Sequence, residues 1–330
     1  MAASTSRTIL VTGAAGFIGS HTAERLLRRG DHVVGLDNLN EYYDPTRKRA
    51  NLEEVRATAE QAGAFSFVEG DIRDRSLLEQ LFSRHEFSGV VHLAAMAGVR
   101  SSVEDPWLYC EVNLTGTLNL LEAARLHNNP NFVLASTSSA YGNTKLIPFI
   151  ESDPADRPLA PYPASKRAAE LIGHSYHHIH GNDFTALRFF TVYGPRGRPD
   201  MMPYKLLDAM RTGKSMPLYN GGNMYRDWTF VSDIVSGVVS AVDRRLGYEI
   251  INIGRGEPAL VVDFVRAAEK LAGKRAPLTS EPMMKADVSY TFANIDKARK
   301  LLDYQPQVSV EEGVRRFYDW FKSAVGDPAA

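Results

Sequence analysis

A tyrosine followed four residues later by a lysine sets a phenol and an ammonium on one helical face. The cation there favours phenolate, so the tyrosine can serve as a general base near neutral pH. The sequence carries this pair three times, as Tyr141/Lys145, Tyr162/Lys166 and Tyr318/Lys322. Tyr141 precedes Gly142 and follows an apolar strand-like run, which predicts a turn where helical spacing is not enforced. Tyr318 lies among Phe317, Trp320 and Phe321 in an amphipathic stretch that reads as packing. Tyr162 opens the helical stretch Ala164 to His177 and is the expected base. Four hydroxyls in succession, Ser136, Thr137, Ser138 and Ser139, end the preceding apolar run. At the carboxyl edge of a parallel sheet, such groups can relay a proton and bind a polar sugar.

The stretch Thr12-Gly13-Ala14-Ala15-Gly16-Phe17-Ile18-Gly19 joins a first apolar run to a helical one. Glycines at this spacing permit a tight turn, close backbone approach to a pyrophosphate and close helix packing, and the helix start attracts the anion. Asp37 stands at the end of the second run, where a carboxylate can bind ribose hydroxyls. It would repel a 2′-phosphate, which favours NAD over NADP. Asp71 and Ile72, after the third run, fall where an adenine contact is expected.

These groups must be held by strands alternating with helices. Short apolar runs at Thr8 to Val11, His32 to Leu36, Phe65 to Val68, Val90 to Leu93, Phe132 to Ala135 and Thr185 to Phe189 alternate with segments of helical period, such as Thr22 to Arg29 and Asn113 to Leu126. That alternation predicts an α/β fold with a doubly wound parallel sheet. After about Thr191 prolines and glycines break the rhythm. A cofactor-binding unit over 1–190, rejoined by a later strand near 249–253, is expected beside a smaller substrate lobe over 191–330.

Composition bounds the partners. The 330 residues are 44% hydrophobic and 23% charged, ordinary for a chain that buries a large core. Lys plus Arg total 38 against 39 for Asp plus Glu, so no long-range field favours nucleic acid or an anionic membrane. The polar start lacks the apolar stretch of a signal peptide, and no apolar run is long enough for a span. The single cysteine, Cys110, excludes an intrachain disulfide framework and reads as a small buried hydrophobe. A cytoplasmic protein is expected. His174, His177, His178 and His180 have metal-like spacing, but they read as a solvated helix face, and no metal is expected.

Taken together, these motifs resemble the extended short-chain dehydrogenase/reductase family over nearly the whole chain. Three stretches are similar to UDP-glucuronate 4-epimerases in particular: Asp37 to Asp44, His92 to Arg100 and Arg188 to Pro195, the last continuing through Gly197 to Met201. The resemblance implies a Rossmann sheet and tightly bound NAD held by Gly13, Gly16, Phe17, Ile18, Gly19, Asp37, Asn38, Asp71, Ile72, Leu93, Ala94, Ala95, Tyr162 and Lys166. It implies Thr137 as hydroxyl partner of Tyr162 and Lys166, and Thr137, Ser138, Ser139 and Thr191 as holders of a sugar carboxylate. Arg226 is implied at the diphosphate, Asp287 at the nucleotide ribose and Arg198 at phosphate or carboxylate.

The implied reaction interconverts UDP-glucuronate and UDP-galacturonate through a 4-keto intermediate with transient NADH. A UDP-glucose or UDP-N-acetylhexosamine 4-epimerase and a UDP-glucuronate decarboxylase are the alternatives, with a non-enzymatic NAD sensor from another class. A Glu among the hydroxyls, associated with decarboxylases and dehydratases of the superfamily, is absent: Ser138 and Ser139 stand there. Met96 replaces an expected Gln, Arg196 an expected aromatic residue, and Lys285-Ala286 an expected Pro-Gly. The resemblance implies a homodimer, which the apolar stripes of Asn113 to Leu126 and Ala164 to Ile179 could pair across a two-fold axis; core packing explains the same stripes equally well.

Overall fold

The computed structural model describes residues 7–59, 64–283 and 288–330. Seven strands form one parallel sheet: β1 (Thr8–Thr12), β2 (His32–Asp37), β3 (Phe65–Glu69), β4 (Gly89–His92), β5 (Asn131–Thr137), β6 (Phe184–Phe189) and a late strand, Tyr248–Ile253. Between β6 and that strand the chain makes β7 (Thr191–Tyr193), β8 (Met216–Tyr219) and β9 (Tyr225–Phe230), so the late strand is β10; β11 (Pro258–Leu260) and β12 (Leu278–Glu281) follow. The spatial order is β10-β6-β5-β4-β1-β2-β3, every neighbouring pair parallel. Each apolar run read from the sequence is a strand of this sheet, because both of its faces are covered and alternation is unnecessary. Strand order reverses between β1 and β4, which opens a crevice at their carboxyl ends.

Helix Phe17–Arg28 starts five residues before the Thr22 read from periodicity, directly at Gly16. Its partner across the glycine turn is set by contact. A Cβ on Gly13, whose φ is +70°, would lie 2.8 Å from the Ala94 nitrogen. Outside the large sheet, β7, β9 and β11 form a three-stranded sheet, and β8 pairs with β12. Asp227 anchors this region. Its buried carboxylate accepts the backbone N–H groups of Arg255, Gly256 and Ala293 at 2.6, 3.0 and 3.1 Å, so alternation along β9 turns Arg226 and Trp228 to the opposite face.

Cys110 corrects an expectation: it is exposed, at the end of the short helix Pro106–Cys110. Residue type alone suggests burial, but here the cysteine ends a short helix just before the chain tightens into a π-turn, Glu111–Thr115. The histidines at 174, 178 and 180 are exposed, and His177 Nδ1 bonds the Asn182 carbonyl at 2.8 Å.

His92 is fully buried between β1 and the helix Gly116–Leu126 that follows the π-turn. Thr117 Oγ1 donates to the Asn113 carbonyl at 2.6 Å and therefore accepts from His92 Nε2–H at 3.0 Å, while Thr12 Oγ1 accepts the Ala94 N–H at 3.1 Å and donates to Nδ1 at 2.7 Å. Neutral imidazole satisfies both ends. Burial holds His92 well below its usual range. Its depressed folded pKa means that, below about 6.5, the unfolded chain binds a proton that the folded one refuses, so stability is lost as pH falls. His21, drawn down to about 4 by burial and by Arg196, adds to the same window. The unfolding free energy should fall more steeply between pH 6.5 and 5 in wild type than in His92→Leu, by about 1.4 kcal/mol per pH unit for one proton, as measured by denaturant titration at each pH. Equal slopes would remove His92 from the account.

Candidate active site

Two cavities meet at the carboxyl ends of the strands. The first, about 390 Å³, runs from the glycine turn past Asp37 and Asp71 to Tyr162 and Lys166; the second, about 710 Å³, extends from the same junction to Arg226, Trp228 and Tyr219. Ser138, Ser139, Thr191 and Arg198 line both. Gly13, Gly16, Phe17, Ile18, Gly19, Asp37, Asn38, Asp71, Ile72, Leu93, Ala94, Ala95, Thr137, Tyr162 and Lys166 all line the first. Arg226 lines only the second, and Asp287 lies outside the described residues.

The first cavity is built to receive an anion at one end and hydroxyls at the other. Helix Phe17–Arg28 has no side-chain cap and no acidic residue in its first turn, which leaves its N-terminal N–H groups open to a phosphate. Asp37, 8% exposed, accepts the N–H of Ala15 and of Leu39 at 3.1 and 2.9 Å. Two bonds leave acceptor positions on both oxygens for a diol. Burial nevertheless raises its pKa. Asp71, bonded by Asn38 Nδ2 at 2.9 Å and by Arg73, is lowered to about 2.

Helix Pro161–His180 places Tyr162 and Lys166 one turn apart at the cavity wall. Burial raises the Tyr162 pKa, opposed by a hydrogen bond from Thr137 and by the Arg198 charge. Burial also lowers Lys166 to about 8, opposed by Glu170. Among the described residues the Lys166 Nζ is buried without a hydrogen-bond partner, a costly state unless a ligand supplies acceptors. Thr137 caps the 3-10 turn Ser138–Tyr141 by accepting the Ser139 N–H at 3.1 Å, which aims the hydroxyls of 138 and 139 at the junction.

Arg198 is held in a fork by Asp200, at 2.9 and 2.6 Å, and donates to the Ala97 carbonyl at 3.0 Å. Tyr42 Oη donates to the same Asp200 at 3.3 Å. Arg196, at φ +63°, ties this loop to the cofactor side through Glu24 at 2.7 Å and Glu54 at 3.5 Å. Met96 is buried in the first cavity, and its backbone is fixed from both sides: Asn113 accepts its N–H and donates to its carbonyl, each at 2.9 Å. Asn113 also donates to Ser165 Oγ at 3.0 Å, joining the 93–100 segment to helix Pro161–His180. Sequence reasoning missed Asn113; an amide opening the otherwise apolar helical run Asn113 to Leu126 was the available signal.

The model of the family described as GDP-mannose 4,6 dehydratase matches residues 10–317. The chain belongs to the extended short-chain dehydrogenase/reductase family. Within that family it is 43% identical to a UDP-glucuronate 4-epimerase of Thermodesulfobacterium geofontis, with 96% of each chain covered. A crystal structure of the UDP-glucuronic acid 4-epimerase of Bacillus cereus, in complex with UDP-glucuronic acid and NAD, superposes with a TM-score of 0.88 at 36% identity, covering 96% of this chain and 99% of the other. A family member acting on a neutral sugar, the UDP-glucose 4-epimerase of Thermotoga maritima, reaches 0.87 at 30% identity, covering 96% of this chain and 99% of that one.

Proposed function

We propose that the protein is an NAD-dependent UDP-glucuronate 4-epimerase, and the observation that carries this reading is the hydroxyl-lined junction of the two cavities beside Tyr162. Residues of the first cavity fit a dinucleotide: the uncapped helix start at Gly16 to Gly19 takes the pyrophosphate, Asp37 the adenosine ribose, and the unpartnered Lys166 ammonium the second ribose. When bound, NAD accepts and returns the hydride at the sugar C4. Tyr162 takes the C4 hydroxyl proton as the hydride leaves and returns it afterwards, with Thr137 donating to its oxygen and Lys166 supplying positive charge. The second cavity takes the UDP moiety, its diphosphate against Arg226.

The 4-keto form of a glucuronate is a β-keto acid, which loses CO₂ when the carboxylate bond aligns with the carbonyl π system. Thr137, Ser138, Ser139 and Thr191 would hold the carboxylate out of alignment, with Arg198 as the nearby cation. Among the described residues, the carboxylates lining the cavities are Asp37, Asp71, Asp200 and Asp208, and Asp200 is committed to Arg198. A dehydratase needs an acid among the hydroxyls to protonate the departing group. The serines supply none.

Residues 1–190, with β10, are proposed as the NAD-binding unit and 191–330 as the UDP-sugar lobe. A homodimer is supported by exposed Trp107, Leu126, Leu171 and Ile179 on neighbouring helices. Among the described residues no helix is long and apolar enough to cross a membrane, and a cytoplasmic location is proposed. The test is to incubate the purified protein with UDP-glucuronate, without added NAD, and follow products by proton NMR together with CO₂. UDP-galacturonate without pentose is the expected product. UDP-pentose would reassign the site to decarboxylation, and no turnover even with added NAD would remove the assignment.

A further inference from the structure

Glu170 takes no part in the chemistry above, yet it binds the elements of the site together. It follows Lys166 by one helical turn and is 0% exposed. Its Oε1 accepts from Ser136 Oγ at 2.5 Å and Arg188 Nε at 3.0 Å, while Oε2 accepts from Arg188 Nη2 at 2.7 Å and Arg167 Nη1 at 3.2 Å. A carboxylate offers about four acceptor positions, so these donors saturate it. Arg188, near the carboxyl end of β6, also lies over the Tyr141 ring at 4.5 Å, and Tyr141 Oη donates to Asn252 of β10 at 2.7 Å. The hub therefore spans the catalytic helix, three strands and the turn that closes the hydroxyl run.

Stability alone does not account for such a hub, since a buried ion pair gains little over an apolar pair of the same shape. Its location gives another reason. Ser136 adjoins Thr137, and Glu170 shares its helix face with Lys166 and Tyr162. We infer that Glu170 is a positioning residue, locking the Tyr162–Lys166 helix to the hydroxyl-bearing end of β5 and keeping a fixed negative charge one turn from the Lys166 ammonium. The inference rests on reading Tyr162 and Lys166 as the proton-transfer pair.

The titratable groups that act on Lys166 are Glu170 of its own helix and His92 of β4, which burial keeps neutral near pH 7; Tyr162 lies one turn before it on the same helix. Glu170 opposes the burial that draws Lys166 down to about 8. Removing the anion disfavours the ammonium, and the Arg188 cation left behind disfavours it further. Removing Arg188 instead leaves the anion in place. The two halves of one ion pair thus have opposite effects on Lys166, whereas a merely structural role makes them alike.

The test uses the full chain labelled with ¹³C-lysine, following the Lys166 Cε resonance assigned with Lys166→Met. Glu170→Gln should lower its titration midpoint by about one pH unit, and Arg188→Met should not lower it. The alkaline limb of kcat/KM should follow, with Glu170→Gln losing about tenfold more activity at pH 9 than at its optimum. Equal midpoints in wild type and Glu170→Gln, or the same drop in Arg188→Met, would overturn the inference. If Glu170→Gln does not fold, the double variant Glu170→Gln/Arg188→Met is compared with Arg188→Met, and a lower midpoint in the double is expected; no difference overturns it. Resonance titration needs no turnover, so a wild-type protein that titrates as expected but is inactive on UDP-glucuronate strikes only the epimerase reading.

Discussion

Tyr162→Phe should lower turnover of UDP-glucuronate by about 10²–10⁴-fold, the range for removing a positioned general base, while NAD stays bound and the thermal midpoint barely moves. The phenol oxygen is the atom that differs, and the ring remains to pack against Tyr109, whose centroid is 6.1 Å away. Thr137 keeps its bond to the Ser139 N–H, so the turn carrying the hydroxyls is undisturbed. Lys166 cannot substitute while charged, because an ammonium has no lone pair with which to accept the sugar proton. Measurement of single-turnover NADH absorbance separates the possibilities. Slow appearance and slow disappearance together place Tyr162 in both half-reactions. A normal rate of appearance would move the base elsewhere, with Thr137 next in reach.

Of the three Tyr/Lys pairs, the one that lines the first cavity is Tyr162/Lys166, and that is legible because spacing acts only inside a helix. Tyr141 lies in a turn with its hydroxyl on Asn252, while Lys145 is exposed. Tyr318 and Lys322 do share a helix, but both hydrogen-bond Asp327. The glycine turn, Asp37 and the strand order were equally readable, since each depends on local sequence and on handedness rules. Glu170 was not readable as a hub. Four residues beyond Lys166 it looks like an ordinary helix acid, and its partner Arg188 comes from a strand that only the β5–β6 pairing brings beneath the helix. One signal was available: Arg188 interrupts the apolar run Thr185 to Phe189, and a charge in a doubly covered strand requires a buried partner. Cys110 failed for a different reason: residue type alone does not say which way a side chain faces, and at the end of the short helix Pro106–Cys110 it faces outward.

Gly19→Ala should abolish retention of NAD through purification, with cofactor affinity reduced by a hundredfold or more, on the order of 3 kcal/mol or above. A Cβ at Gly19 would stand 2.0 Å from the Gly13 carbonyl oxygen and 2.7 Å from its carbon, both backbone atoms that cannot rotate aside. The helix start must then swing away from the turn. Gly13 cannot yield in the other direction, since it packs against the Leu93–Ala94 backbone and its N–H is held by the Leu36 carbonyl at 2.8 Å. The open N–H groups of the first helical turn would lose their aim, and with them the pyrophosphate site. Gly16→Ala is the internal control. Its Cβ meets only the Gly13 oxygen, at 3.1 Å, a contact that a shift of a few tenths of an ångström relieves. Measured by bound-cofactor absorbance and by titration of the stripped protein, the loss should be far larger at 19 than at 16. Equal losses would mean that the ligand's own approach to the backbone, rather than helix packing, sets the requirement for glycine in this turn.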